Sequence, residues 1–122
     1  MTSTTWDETP VTFTGGGVEI RTQQLGGDMS VLYMRASEGA DLSPRLKGLE
    51  DDMCQCPHWG CITKGRIALR TAQGEETYET GQTFYWPPGH APRAVEDSEF
   101  FVFSPVEALE RTMSHVTAEE AA

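Results

Sequence analysis

What the chain has little of narrows the field first. No apolar run approaches the roughly 18 residues that a membrane-spanning helix needs, and apolar residues make up only 38% of the chain. Basic residues are scarce: nine Lys and Arg stand against nineteen Asp and Glu, a formal charge of −10. Such a field disfavours nucleic acid and anionic membranes as partners. Cysteine occurs three times, all within the eight residues from Cys54 to Cys61, which suits neither a disulfide framework nor an oxidising compartment. The opening residues carry neither the basic nor the apolar region of a secretory signal. The expectation is a soluble, cytoplasmic protein with reduced thiols, and at 122 residues a single domain. Other chemistries find little footing. Gly15-Gly16-Gly17 lacks the lysine and the strand-to-helix context of a phosphate loop, and Ser104 has no histidine near it in sequence.

What is present reads mainly as strand. Val18 to Gln23 alternates apolar and polar residues, Met29 to Arg35 is apolar on both faces, and Thr83 to Trp86 is an aromatic run stopped by Pro87-Pro88-Gly89. Short strands are also expected at Val11–Phe13, Trp59–Lys64, Arg66–Thr71, Glu75–Thr80, around Val95 and at Phe100–Phe103, with Ala36 to Asp51 as a loop. Ser104-Pro105-Val106-Glu107 reads as a capping box with Pro at the first helical position. Val106, Leu109 and Met113 then fall on one helical face. The layout predicted is a polar, loosely held arm over residues 1–10, an all-β sandwich or small barrel over 11–104, a helix over 105–117 and a tail over 118–122.

Candidate chemistry gathers around the cysteines. If Cys54 to His58 is extended, Cys54, Cys56 and His58 share one face, a row of soft donors of the kind Zn2+ prefers. His90, after Pro87-Pro88-Gly89, stands where a stiff turn can aim a second imidazole toward them. Asp52 is an outside candidate in an acidic run, Cys61 has the opposite parity and reads as packing, and His115 reads as a surface residue near the helix C-terminus.

The span from Asp52 to Phe103 resembles the cupins, small β-barrels (double-stranded β-helices, or jelly rolls) whose two motifs each supply metal ligands. Gly81 with Pro87-Pro88-Gly89 reproduces the second motif, and His58 stands with six residues between it and Gly65, as the metal-binding acid of the first motif does. The family's His-any-His pair falls on Asp52 and Cys54. Its second-motif histidine falls on Pro92, two residues beyond His90. Pro-His-Trp-Gly and Tyr-Trp-Pro-Pro-Gly-His look like those of small single-domain bacterial cupins of uncharacterised function, so the resemblance implies fold and metal but no substrate.

The combined expectation is a cupin-like β-barrel with one C-terminal helix. It would hold one divalent metal, Zn2+ ahead of iron or copper, on His58, His90 and one or both of Cys54 and Cys56. Ile62, Ile67, Leu69, Phe84 and Trp86 would wall the pocket, and Tyr85, if inward, would hydrogen-bond a ligand. Three ligands would leave a position open to a small molecule, as in a metal-dependent lyase, isomerase, hydrolase or oxygenase. Four would make a closed structural site. A sensor or carrier that performs no reaction is the other alternative. A homodimer is expected, since exposed strand edges need cover.

Overall fold

The computed structural model describes residues 2–118. Its strands are β1 (Val11–Gly15), β2 (Val18–Gly26), β3 (Met29–Ala36), β4 (His58–Lys64), β5 (Arg66–Thr71), β6 (Gly74–Glu79), β7 (Thr83–Trp86), β8 (His90–Ala94) and β9 (Ser98–Pro105). Two helices accompany them, α1 (Ser43–Leu46) and α2 (Val106–Thr117). Six strands form one antiparallel sheet in the order β1-β2-β3-β9-β4-β7, and three form the other in the order β6-β5-β8. Alternation along the strands sends Ile20, Met34, Ile62, Ile67, Phe84, Trp86, Phe100 and Val102 between the sheets, where all are buried. The all-β reading with a C-terminal helix is what the molecule has.

Two glycines let neighbouring strands approach closely. Gly60 lies inward on β4 opposite Val102 of β9, and a Cβ there would collide with the carbonyl oxygen of Phe101. The two strands therefore sit tightly side by side, in a register that carries His58 up to the level of Ser104. Gly65, at φ +78°, makes the corner from β4 to β5, where a side chain would strike Asp97 and Ser98.

Several elements depart from the sequence reading. The strand expected around Val95 is instead β8, ending at Ala94, because His90 pairs across to Thr71 and starts the strand earlier. The loop after β3 contains α1 and a 3-10 turn over Glu50–Asp52. The capping box does not form. Helix α2 begins at Val106 with no side-chain cap, and Ser104 is an interior residue of β9 opposite Ser30, fully buried. The N-cap position falls on Pro105, and the Ser104 hydroxyl is held instead against His58 Nδ1 at 2.6 Å.

Helix α2 turns Leu109, Met113 and Val116, at the i, i+4, i+7 spacing of one face, onto one end of the barrel. The arm lies against β2 and β3: Thr9 is buried, and the Trp6 ring is covered by the guanidinium groups of Arg35 at 3.9 Å and Arg21 at 4.4 Å. Of the tail, residues 119–122 lie outside the described residues.

Because Gly60 faces backbone rather than a flexible side chain, Gly60→Ala is expected to lower stability by more than about 2 kcal/mol in urea denaturation. A loss below about 0.5 kcal/mol would mean that β4 and β9 are not packed this closely.

Candidate metal centre

Cys54, His58 and His90 meet at one point, with one donor atom from each lying within 4.8 Å of the others. Three different pieces of chain bring them there. His58 opens β4 in the six-stranded sheet and His90 opens β8 in the three-stranded one. Cys54 belongs to no strand but forms an isolated backbone bridge with His90. The Cys54 N–H donates to the His90 carbonyl at 2.8 Å, and the His90 and Gly89 N–H groups donate back to the Cys54 carbonyl at 3.2 and 2.8 Å.

The row of donors expected from an extended Cys54–His58 segment is not present. Along a strand, residues four apart lie about 13 Å from each other at 3.3 Å per residue, too far to share an ion. The chain instead bends at Cys56-Pro57 before β4 begins. The bend brings Cys54 Sγ to 3.7 Å from His58 Nε2. It also turns Cys56 away, so that its thiol lies 3.6 Å from the Pro57 carbonyl, outside the cluster.

Each imidazole is held from behind. His90 Nδ1 is 2.7 Å from the Pro87 carbonyl, which can only accept, so Nδ1 carries the proton and Nε2 presents a lone pair. That Nε2 is shielded from solvent and has no hydrogen-bond partner. His58 Nδ1 is 2.6 Å from Ser104 Oγ, and donation to that hydroxyl leaves the His58 Nε2 lone pair facing Cys54. Histidines anchored through one nitrogen so that the other is free are a usual feature of metal sites. An ion at about 2.1 Å from nitrogen and 2.3 Å from sulfur holds such donors about 3.5 Å apart. The 3.7 Å pair is already there, and a small side-chain rotation closes the rest. The donor set fits a borderline-soft divalent ion.

The surroundings are dry. Burial, reinforced by the neighbouring His90, pushes His58 down to about 3, and burial lowers His90 as well. Burial pushes the Cys54 thiol up to about 12 and that of Cys56 to about 11. Without an ion, then, the cluster is neutral throughout. A cavity of about 30 Å³ lies between the donors and α2, walled by Leu32, Met34, Leu46, Phe100, Leu109 and Met113, with the Thr112 hydroxyl beside the Cys54 thiol. A wider surface hollow of about 380 Å³ near Arg35, Lys64 and Glu99 shares no residue with this site. Its charges already pair, with Arg35 2.9 Å from Glu99.

Of the expected pocket residues, Trp86 alone lines the cavity, edge-on to His58 and tilted against His90. Phe84 stacks behind it at 3.8 Å, and Ile62, Ile67 and Leu69 are core residues further along the barrel. Tyr85 faces outward, 50% exposed and stacked on Trp59, because its neighbours Phe84 and Trp86 take the inward positions of β7. Asp52 accepts from the Gly48 N–H on the surface, and His115 Nε2 donates to the Lys47 carbonyl. Pro92 lines the cavity on the same side as His90. The parts that Ser104 and α2 play at the site escaped the sequence reading. The one signal for Ser104 was its place in a long β9, hidden by its likeness to a helix cap.

No family model and no curated protein matches the chain. Solved structures match its fold. A RmlC-like cupin from Shewanella frigidimarina has a TM-score of 0.62 at 11% identity, over 84% of this chain and 87% of that one. Oxalate decarboxylase from Bacillus subtilis has 0.67 at 17%, over 86% of this chain but 29% of that one. A cupin-superfamily sugar phosphate isomerase from Silicibacter pomeroyi has 0.61 at 20%, over 84% and 74%. At these identities the likeness is one of fold, and the chain has the cupin fold. Among the described residues no helix is long and apolar enough to cross a membrane.

Neutral burial has a sign. Unfolded imidazoles bind protons below their ordinary value of 6.5 while the folded ones resist, so metal-free protein loses stability as pH falls from about 6.5. The unfolded thiol ionises above 9.0 while folded Cys54 and Cys56 stay protonated, so stability falls again above that pH. Denaturation of the metal-free protein across pH should give a plateau between these values, with an acid limb of up to about 1.4 kcal/mol per pH unit per imidazole. A flat acid limb would mean that the histidines are not buried neutral.

Proposed function

We propose that the protein holds one divalent metal ion, Zn2+ ahead of iron or copper, on Cys54, His58 and His90, and offers the remaining coordination position to a small molecule. One observation carries this reading: the His90 Nε2 lone pair is buried without a partner, 4.8 Å or less from two other soft donors. A buried polar atom left unmatched is costly unless something occupies its direction. When bound, such an ion polarises a carbonyl or lowers the pKa of a water. The chain's own part is to orient the donors through Ser104 and Pro87 and to keep bulk water out with α2.

The orientation of Cys56 toward Pro57 speaks against a closed four-ligand zinc site. Fold neighbours that include an oxalate decarboxylase and a sugar phosphate isomerase support small-molecule chemistry as the class. A second reading, a metal or ligand sensor, is favoured by one feature: among the described residues no carboxylate or lysine lines the cavity to serve as acid or base.

A second copy of the chain is the proposed macromolecular partner. Trp59, Tyr85 and Phe103 are 43%, 50% and 39% exposed on the outer face of β4, β7 and β9. Cys61, Thr83 and Phe101 alternate with them on that face and are uncharged. On a chain carrying −10, such a patch is where two copies meet with least repulsion. Sedimentation should give a dimer that Trp59→Glu dissociates. A monomeric wild type would remove this part of the reading.

Metal analysis after purification should find close to one ion per chain. His58→Ala, His90→Ala and Cys54→Ser should each lose most of it, while Cys56→Ser and His115→Ala retain it. Full retention by His90→Ala would sink a site that joins the two sheets.

A further inference from the structure

Among the described residues, the cavity in front of the donors has no charge on any wall. Its lining residues include no Asp, Glu, Lys or Arg. The cation nearest in sequence on α2, Arg111, lies outside with 71% of its side chain exposed, 3.7 Å from Glu107. Beside the three donors, the one hydroxyl among the lining residues is that of Thr112.

That lining restricts what can join the ion, on the reading that Cys54, His58 and His90 hold one. A divalent ion brings +2, the Cys54 thiolate −1, and the imidazoles, each with one nitrogen hydrogen-bonded to Ser104 or Pro87 and the other on the ion, are neutral and bring nothing. The sum is +1 in a pocket of leucine, methionine and phenylalanine, where an uncompensated charge is strongly disfavoured. Among the described residues, no wall residue supplies the balancing −1. We propose that the fourth ligand is a small monoanion, and that the site rejects dianions and phosphates.

Size and charge act in the same direction. A neutral ligand leaves the +1 uncompensated. A dianion reverses it to −1 and meets no cation, since neither Arg nor Lys lines the space. About 30 Å³ takes an anion of two or three heavy atoms. Larger molecules would have to displace Leu109 and Met113 of α2. Hydroxide derived from water belongs to the same class, so a resting site with bound hydroxide would exchange it for another monoanion. Thr112 has its hydroxyl on Cys54 Sγ, where it steadies the thiolate without adding charge to the pocket.

The test uses the full-length protein loaded with Co2+ and read by absorption. A thiolate-to-cobalt charge-transfer band in the near ultraviolet reports binding through Cys54, and the visible ligand-field bands report the fourth ligand. Azide and formate are expected to shift the visible bands, with half-saturation at least ten-fold below that of oxalate or inorganic phosphate. If the charge-transfer band is present and phosphate or oxalate shifts the spectrum as readily as azide, the monoanion proposal is overturned and the metal site stands. The proposal is overturned in the same way if the band is present and no anion has any effect. If the band is absent, the metal site fails and the proposal fails with it.

Discussion

Everything at the site depends on a backbone bridge of three hydrogen bonds between Cys54 and the Gly89-His90 segment. A loop residue is thereby sewn to the first residue of β8, and the loop can then reach β4 only by turning sharply at Cys56-Pro57. Proline suits that turn, since it has no N–H to give to a ladder and restrains the residue before it. The bridge fixes where Cys54 and His90 stand, and the turn fixes where His58 begins. Because His58 and His90 open strands of different sheets, their ring centroids stay 4.8 Å apart only while the sheets keep their spacing. The stacked Phe84–Trp86 pair, wedged between Phe100 and Tyr78, is what holds that spacing beside the site.

Much of the fold was legible because turns and alternation leave local marks. Gly65, Gly81 and Pro87-Pro88-Gly89 punctuate the strands where the corners lie, and Val18–Gln23 and Thr83–Trp86 alternate as half-buried strands do. The donor residue types were legible as well, since so few soft donors are clustered so closely. Their arrangement was not. Periodicity reports which face a side chain takes while the chain remains regular, and the site exists because the chain stops being regular at Cys56. Ser104 shows the same limit from the other side. Its neighbours Pro105, Val106 and Glu107 spell a helix start, but eight residues of pairing with β3 outweigh one local cap. Tyr85 was misplaced for a simpler reason: alternation says that Phe84 and Trp86 oppose it, and only the fold says which side is inside.

The dry pocket has two faces. With no ion present, neutrality is what makes it stable, because neutral imidazoles and protonated thiols ask little of their surroundings. An ion reverses the preference, since a thiol held near 12 must release its proton to become a ligand. The same leucines and methionines that oppose thiolate formation in the metal-free protein would strengthen the attraction between thiolate and cation were both inside. On the proposed reading, such a site would take up metal with release of a proton.

Helix α2 completes that logic. It carries its charges, Glu107, Glu110 and Arg111, on the solvent side and turns Leu109, Met113 and Val116 to the cavity. Among the described residues, the barrel end is therefore covered by a surface that supplies no charge, so that a bound ion's own ligands would have to balance the site. A barrel of the same fold with a basic residue in this wall would accept different anions on the same donors. On the proposed reading, which anions are accepted would depend on the helix that covers the end as much as on the strands that build the site, and likeness of fold alone leaves it undetermined.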